Sequence, residues 1–306
     1  MKAGWTAERE RSNALALKLM SWIALRCGRR IARGVLHLIA AYFVLFAPAA
    51  RRASTRYLGR IFGRPPRWRE LYAHVFCFAA TILDRVYFLR RHTDWLELTL
   101  HGHDTVLQAL DEGRGAFLMG AHVGSFEALR AAAAHEQTDK RIAMVMYPDN
   151  ARKINAALAA IAPDAVPDII ALGRPESMLQ IRDRLAEGVL IGILADRALQ
   201  AESPRAQFVR LPFLGTEAVF SDAPFRLADL LRQRIVFMVG LYLGGPRYEV
   251  RFEPLADFSA RPADAAEREA RIRAALAAYV ARLESLCREQ PYNWFNFHDF
   301  WREDAH

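Results

Sequence analysis

His122 and Glu127 stand five residues apart in the segment Gly120-Ala-His-Val-Gly-Ser-Phe-Glu127. An imidazole held through one nitrogen by a carboxylate keeps its other nitrogen free as a general base. Residues five apart do not share a helix face, but across a loop-to-helix corner the carboxylate can reach back to the ring. Gly120 and Gly124 suit the tight turn that such a corner needs. Ser125 is placed as an N-cap, and Glu127 falls in the first helical turn, where the helix dipole favours a carboxylate. Glu127 as a simple helix-start residue is therefore a competing reading of the same spacing. The segment is not a Gly-x-Ser-x-Gly elbow, so Ser125 is not read as a nucleophile.

The elements that must position these residues alternate along the chain. A long helix runs through Tyr72, Val75, Phe76, Ala79, Leu83, Val86 and Tyr87. Strands are expected at 96–101, 116–120, 142–147, 166–172, 189–195, 208–213, 235–243 and 248–253. Helices are expected at 104–111, 125–135, 151–161, 177–187, 222–233 and 264–289, the last capped by Asp264. The run at 189–195, VLIGILA, is continuously apolar, as a strand buried on both faces should be. The alternation predicts an α/β fold, a mainly parallel sheet flanked by helices. Ligands of such sheets bind outside the carboxyl ends of the strands. That rule nominates the loops after 116–120, 142–147, 189–195 and 235–243, and His122 lies in the first of them.

The 306-residue chain carries a net charge of +8, unevenly placed. Residues 1–70 hold 15 Lys and Arg against Glu8, Glu10 and Glu70, a balance of +12. The remaining 236 residues hold 27 basic and 31 acidic groups, a balance of −4. A nucleic-acid binder would spread its basic residues over a folded groove. Basic clusters interleaved with apolar runs fit an anionic membrane surface instead, where each basic residue contributes about 1 kcal/mol. The apolar stretch at 35–47 is shorter than the roughly 20 residues of a bilayer span. Basic clusters flank it on both sides, which suits a monotopic helix or a hairpin in one leaflet better than a single N-terminal span. The chain is accordingly divided into membrane-anchoring helices at 1–66 and an α/β domain at 67–306. Cys27, Cys77 and Cys287 are far apart and form neither a disulfide framework nor a CxxC pair, which places the protein in a reducing compartment. No stretch supplies a convincing metal set. The nearest, His101-Gly-His103-Asp104, reads as a polar turn.

The segment HVGSFE at 122–127 resembles the H-x4-D/E signature of the lysophospholipid acyltransferase superfamily. It is more closely similar to the branch of late acyltransferases that acylate lipid A. Four further features carry the resemblance across essentially the whole chain. The basic-apolar N-terminus resembles that branch's anchor. Leu194-Ala-Asp196-Arg197 resembles its second motif block. Leu211-Pro-Phe-Leu-Gly215, followed by Ala218 and Phe220, resembles its FFG-type turn just before a helix. The tail Pro291-Tyr-Asn-Trp-Phe-Asn-Phe-His-Asp-Phe-Trp301 resembles its aromatic close, in the form found among relatives in aryl polyene and other specialised lipid clusters.

The resemblance implies an acyltransferase with His122 as base and Glu127 as its partner. The acyl group would pass directly from a thioester to a hydroxyl or amine of a lipid acceptor. Gly124, Ser125, Asp196, Arg197, Phe213 and Gly215 would line the substrate site. Backbone N–H groups of Gly124 or Ser125 are candidates for the oxyanion, as is Arg197, whose plainer reading is an ion pair with Asp196. No cofactor or metal is implied. The donor would be acyl carrier protein or coenzyme A, and the location the cytoplasmic face of a bacterial inner membrane. The competing readings are a membrane-associated assembly protein without catalysis, an acyl-thioester hydrolase and a glycosyltransferase, which would need an Asp-x-Asp pair that is absent.

Overall fold

The computed structural model describes residues 14–110, 113–135, 141–148, 168–173, 175–197 and 208–301. The helix expected at 151–161 and the start of the strand expected at 166–172 lie outside those residues.

Helix α1 (Ala14–Phe46) breaks at Gly28, whose φ of 84° and ψ of 165° are not helical. Helix α2 (Pro48–Phe62) follows at 90° to the Trp22–Phe46 part of α1. Pro48 at its start explains the corner, since proline fixes φ and cannot continue the preceding ladder. Gly63, with a φ of 64°, ends α2 in the left-handed conformation. Helix α3 (Trp68–Leu89) is long and apolar enough to cross a membrane, yet most of its apolar stretch is buried inside the protein. It packs against α1.

The body is a seven-stranded sheet of strands β1 (Glu97–His101), β2 (Phe117–Gly120), β3 (Ile142–Met146), β4 (Ile169–Ala171), β5 (Leu190–Leu194), β8 (Arg234–Gly244) and β9 (Arg247–Asp257). Its order is β1-β9-β8-β2-β5-β3-β4. Every neighbouring pair is parallel except the β8–β9 hairpin. Strands β6 (Phe208–Phe213) and β7 (Thr216–Ser221) form a separate antiparallel hairpin. The helices among them are α4 (His103–Leu110), α5 (Phe126–His135), α6 (Pro175–Ala186), α7 (Ala223–Leu230) and α8 (Ala265–Glu289). Asp264 caps α8 through a 2.8 Å bond accepted from the Glu267 N–H.

The central strands are buried on both faces. Phe117, Met119, Ile191, Ile193 and Phe237 point into one cluster, with Ile272, Leu276, Tyr279 and Leu283 of α8. Leu118, Leu190, Val236 and Met238 point into the other, with Leu83 and Val86 of α3 and Ala128 and Leu129 of α5. This two-sided burial is why these strands read as unbroken apolar runs rather than as alternation.

After Arg30, helix α1 is apolar on two opposite sides. Ala32, Leu36, Ala40 and Val44 are buried against the body, while Ile31, Leu38, Tyr42 and Leu45 are exposed on the opposite stripe. Part of the N-terminal positive charge is turned inward, not outward as its sequence clustering suggests. The guanidinium of Arg29 donates to both carboxylate oxygens of the fully buried Asp84, each at 2.8 Å, and lies 3.7 Å over the Trp95 ring. Arg33 donates to Tyr242 Oη at 2.7 Å. A buried carboxylate needs such a partner to offset its lost hydration.

Candidate active site

Strand register brings two side chains together. Gly120 of β2 pairs with Leu194 of β5 in parallel register. His122 and Asp196 each lie two residues past that pair, so both emerge at the carboxyl ends of adjacent strands. His122 Nδ1 lies 2.8 Å from Asp196 Oδ1, and the His122 backbone N–H donates to Asp196 Oδ2 at 3.1 Å. The Trp294 indole N–H donates to the same Oδ2 at 3.0 Å.

The electrostatics fix the proton. Burial works against the Asp196 carboxylate, but His122, then Arg197 and the Trp294 indole, outweigh it and hold its carboxyl well below the usual range. Asp196 is therefore an acceptor at neutral pH, and His122 Nδ1 must be the donor. In the neutral form of the ring, that tautomer carries its lone pair on Nε2. The Asp196 side chain is 2% exposed and that of His122 is 32% exposed. The arrangement is a buried carboxylate orienting a solvent-accessible imidazole, the form of a general base.

The partner expected from spacing is elsewhere. Glu127 Oε1 lies 2.5 Å from Arg85 Nε on α3, and Glu127 Oε2 accepts from Ser125 Oγ at 3.4 Å. Glu127 does not hydrogen-bond His122 in this structure. As the second residue of α5 it faces α3, while the ring of His122 turns toward β5. Asp196 was legible in the sequence as a motif residue, but its pairing with His122 was not, because it depends on the register of two strands 74 residues apart.

The two backbone donors proposed for the oxyanion are also committed. The Gly124 N–H donates to Asn293 O at 2.8 Å and the Ser125 N–H to Gly240 O at 2.7 Å. This stitching explains the glycines. Gly124 has a φ of 60°, and a Cβ there would meet the Gly240 carbonyl oxygen at 2.0 Å. A Cβ on Gly240 would meet the Ser125 oxygen at 2.3 Å. Arg197 is half-buried next to Asp196 and is the cation whose field reaches the pair.

Phe213 and Gly215 take a different place from the one expected. They belong to the β6–β7 hairpin, whose two-residue turn is Leu214-Gly215, with φ of 52° and 80°. Positive φ at both positions marks the turn twist that suits hairpins. The turn thus precedes a strand, and a helix follows only after β7. Phe213 is fully buried, with its ring centroid 5.3 Å from that of Trp294 in an edge-on contact. It supports the wall behind the site and presents no open surface. His101 lies 3.2 Å from Glu249.

The family model of the bacterial lipid A biosynthesis acyltransferases matches residues 12–303. A search of curated proteins returns no match. A match over nearly the whole chain, N-terminal helices and tail included, leaves one conclusion: the chain belongs to the bacterial lipid A biosynthesis acyltransferase family, and acyl transfer to lipid-like acceptors is its chemistry.

Proposed function

We propose that the protein transfers an acyl group from a thioester to a hydroxyl or amine of a lipid acceptor, with His122 as base and Asp196 as the group that orients it. The single observation that carries this reading is the 2.8 Å bond between a buried carboxylate and a half-buried imidazole at adjacent strand ends. His122 Nε2 takes the proton of the acceptor as its oxygen or nitrogen bonds to the thioester carbonyl carbon. The carbon–sulfur bond then breaks, and the imidazolium returns the proton to the leaving thiolate. Asp196 stabilises the imidazolium between these steps, as a buried carboxylate does beside a catalytic histidine. Arg197 supplies positive charge beside the developing oxyanion. The donor is acyl carrier protein or coenzyme A, and no cofactor is consumed.

The exposed apolar stripe of α1 and the right-angled α2 beside it favour monotopic attachment, on the cytoplasmic face of the inner membrane. A helix segment with apolar stripes on two opposite sides needs apolar surroundings on both. The protein supplies one side and a lipid leaflet supplies the other.

The test is transfer of a radiolabelled acyl chain from acyl carrier protein to a bacterial polar-lipid extract. His122→Ala and Asp196→Asn should each lower the rate by roughly 10²- to 10⁴-fold. Unchanged product from His122→Ala removes the base. Label released as free fatty acid with no labelled lipid turns the assignment to hydrolysis.

A further inference from the structure

The segment 293–295 lies against the His122 loop like a short extra strand. Val123 and Trp294 form an antiparallel bridge. The Phe295 N–H donates to His122 O at 2.8 Å, and Gly124 N–H donates to Asn293 O at 2.8 Å. The loop that carries the base is thus gripped through its backbone on both sides of Val123. Asn293 is itself fixed, accepting from the Tyr242 N–H at 2.8 Å and donating to Tyr242 O at 3.1 Å. From the same segment the Trp294 indole reaches the carboxylate. One tripeptide therefore holds the backbone of the base and the side chain of its partner.

What holds Trp294 comes from the N-terminal helices. His74 of α3 is fully buried, with Nε2 2.8 Å from Trp294 O and Nδ1 2.8 Å from Ser54 Oγ of α2. Burial keeps His74 neutral, down to about 4. A carbonyl only accepts, so Nε2 carries the hydrogen, and Nδ1 accepts from the Ser54 hydroxyl. The Tyr57 ring of α2 meets Trp294 edge-on at 5.0 Å between centroids. A directed chain runs from the Ser54 hydroxyl through His74 to the Trp294 carbonyl. On the far side of the same residue, the indole serves Asp196.

We propose that Trp294 is a positioning residue for the Asp196–His122 pair, and that α2 and α3, by seating Trp294 through Ser54 and His74, are structural parts of the active centre rather than only its anchor. The inference rests on the reading of His122 and Asp196 as the reacting pair. Removing the indole N–H leaves the Asp196 charge less compensated, so His122 is protonated more readily and held less firmly. Misplacement of a catalytic group by an ångström costs about 10²-fold in rate.

The test is made on the full chain in detergent, with Trp294→Phe and with 3-benzothienylalanine at position 294, which keeps the bicyclic shape and lacks the N–H. The pKa of His122 is read from the pH dependence of its modification by diethyl pyrocarbonate, followed by peptide mass spectrometry. This readout needs no substrate. We expect both replacements to move that pKa upward, and the acyl-transfer kcat to fall about ten- to a hundred-fold with KM changed much less. His74→Leu should move it in the same direction through loss of the carbonyl contact. A benzothienylalanine protein with the wild-type pKa and kcat overturns the proposal, whatever its thermal stability, and this outcome leaves the transfer reading intact if His122→Ala is inactive. Full transfer by His122→Ala overturns both.

Discussion

At the scale of single residues, the site divides its two carboxylates between two tasks. On the proposed assignment Asp196 orients the base, while Glu127 ties the start of α5 to Arg85 of α3. The Glu127–Arg85 pair is mostly shielded, with side chains 11% and 27% exposed. Losing one partner of a shielded ion pair strands the other in poor solvent. Glu127→Gln should therefore lower the thermal midpoint, while costing less turnover than Asp196→Asn. Both quantities are accessible from one set of purified variants by thermal melts and the transfer assay. The reverse order of activities would return Glu127 to the role that its spacing from His122 suggests. That spacing was legible, and so was the position of His122 at a strand end. What the residues alone did not disclose was direction: a histidine between two strands turns to whichever carboxylate the register sets beside it.

At the scale of elements, the sheet and most of its helices were legible because their periodicities are strong. The continuous run of β5 and the long amphipathic α8 fall where the pattern puts them. Strand β7 was missed because Thr216 and Glu217 interrupt its apolar run, and because the Leu214-Gly215 turn was matched to a motif instead of a hairpin. The bridge between the tail and the His122 loop has no periodicity to find, since only one residue on each side pairs. The contact between α2, α3 and the tail also has a measurable signature. His74 has its pKa lowered by burial to about 4, against an unfolded value near 6.5. The unfolded chain then binds a proton that the native state refuses. Stability from this group is fully present above about pH 6.5 and is lost as pH falls toward 4, a change of about 3 kcal/mol. Urea melts between pH 7 and 4 should show a steeper loss for wild type than for His74→Gln. Equal slopes would mean that His74 is not held neutral.

At the scale of the whole molecule, the N-terminal helices present two unlike sides. Inward, Arg29 and Asp84 lock α1 to α3, and Tyr248 Oη donates to the same carboxylate at 2.9 Å. Outward, Leu38 is 74% exposed and Leu45 is 57% exposed on the stripe facing away from the body. Burying such side chains in lipid contributes roughly 1.5–3 kcal/mol each. The double variant Leu38→Asp/Leu45→Asp should therefore lower partition onto anionic vesicles by more than about tenfold in a sedimentation assay, without loss of folded protein. Unchanged partition would place the lipid contact on another surface. The tail carries one more consequence, in the order of synthesis. A ribosome makes α1 first and reaches Trp294 98 residues after Asp196. On the assignment of Trp294 as the residue that seats the pair, and of the α1 stripe as the lipid contact, the surface that would meet the membrane is synthesised well before the residue that completes the centre.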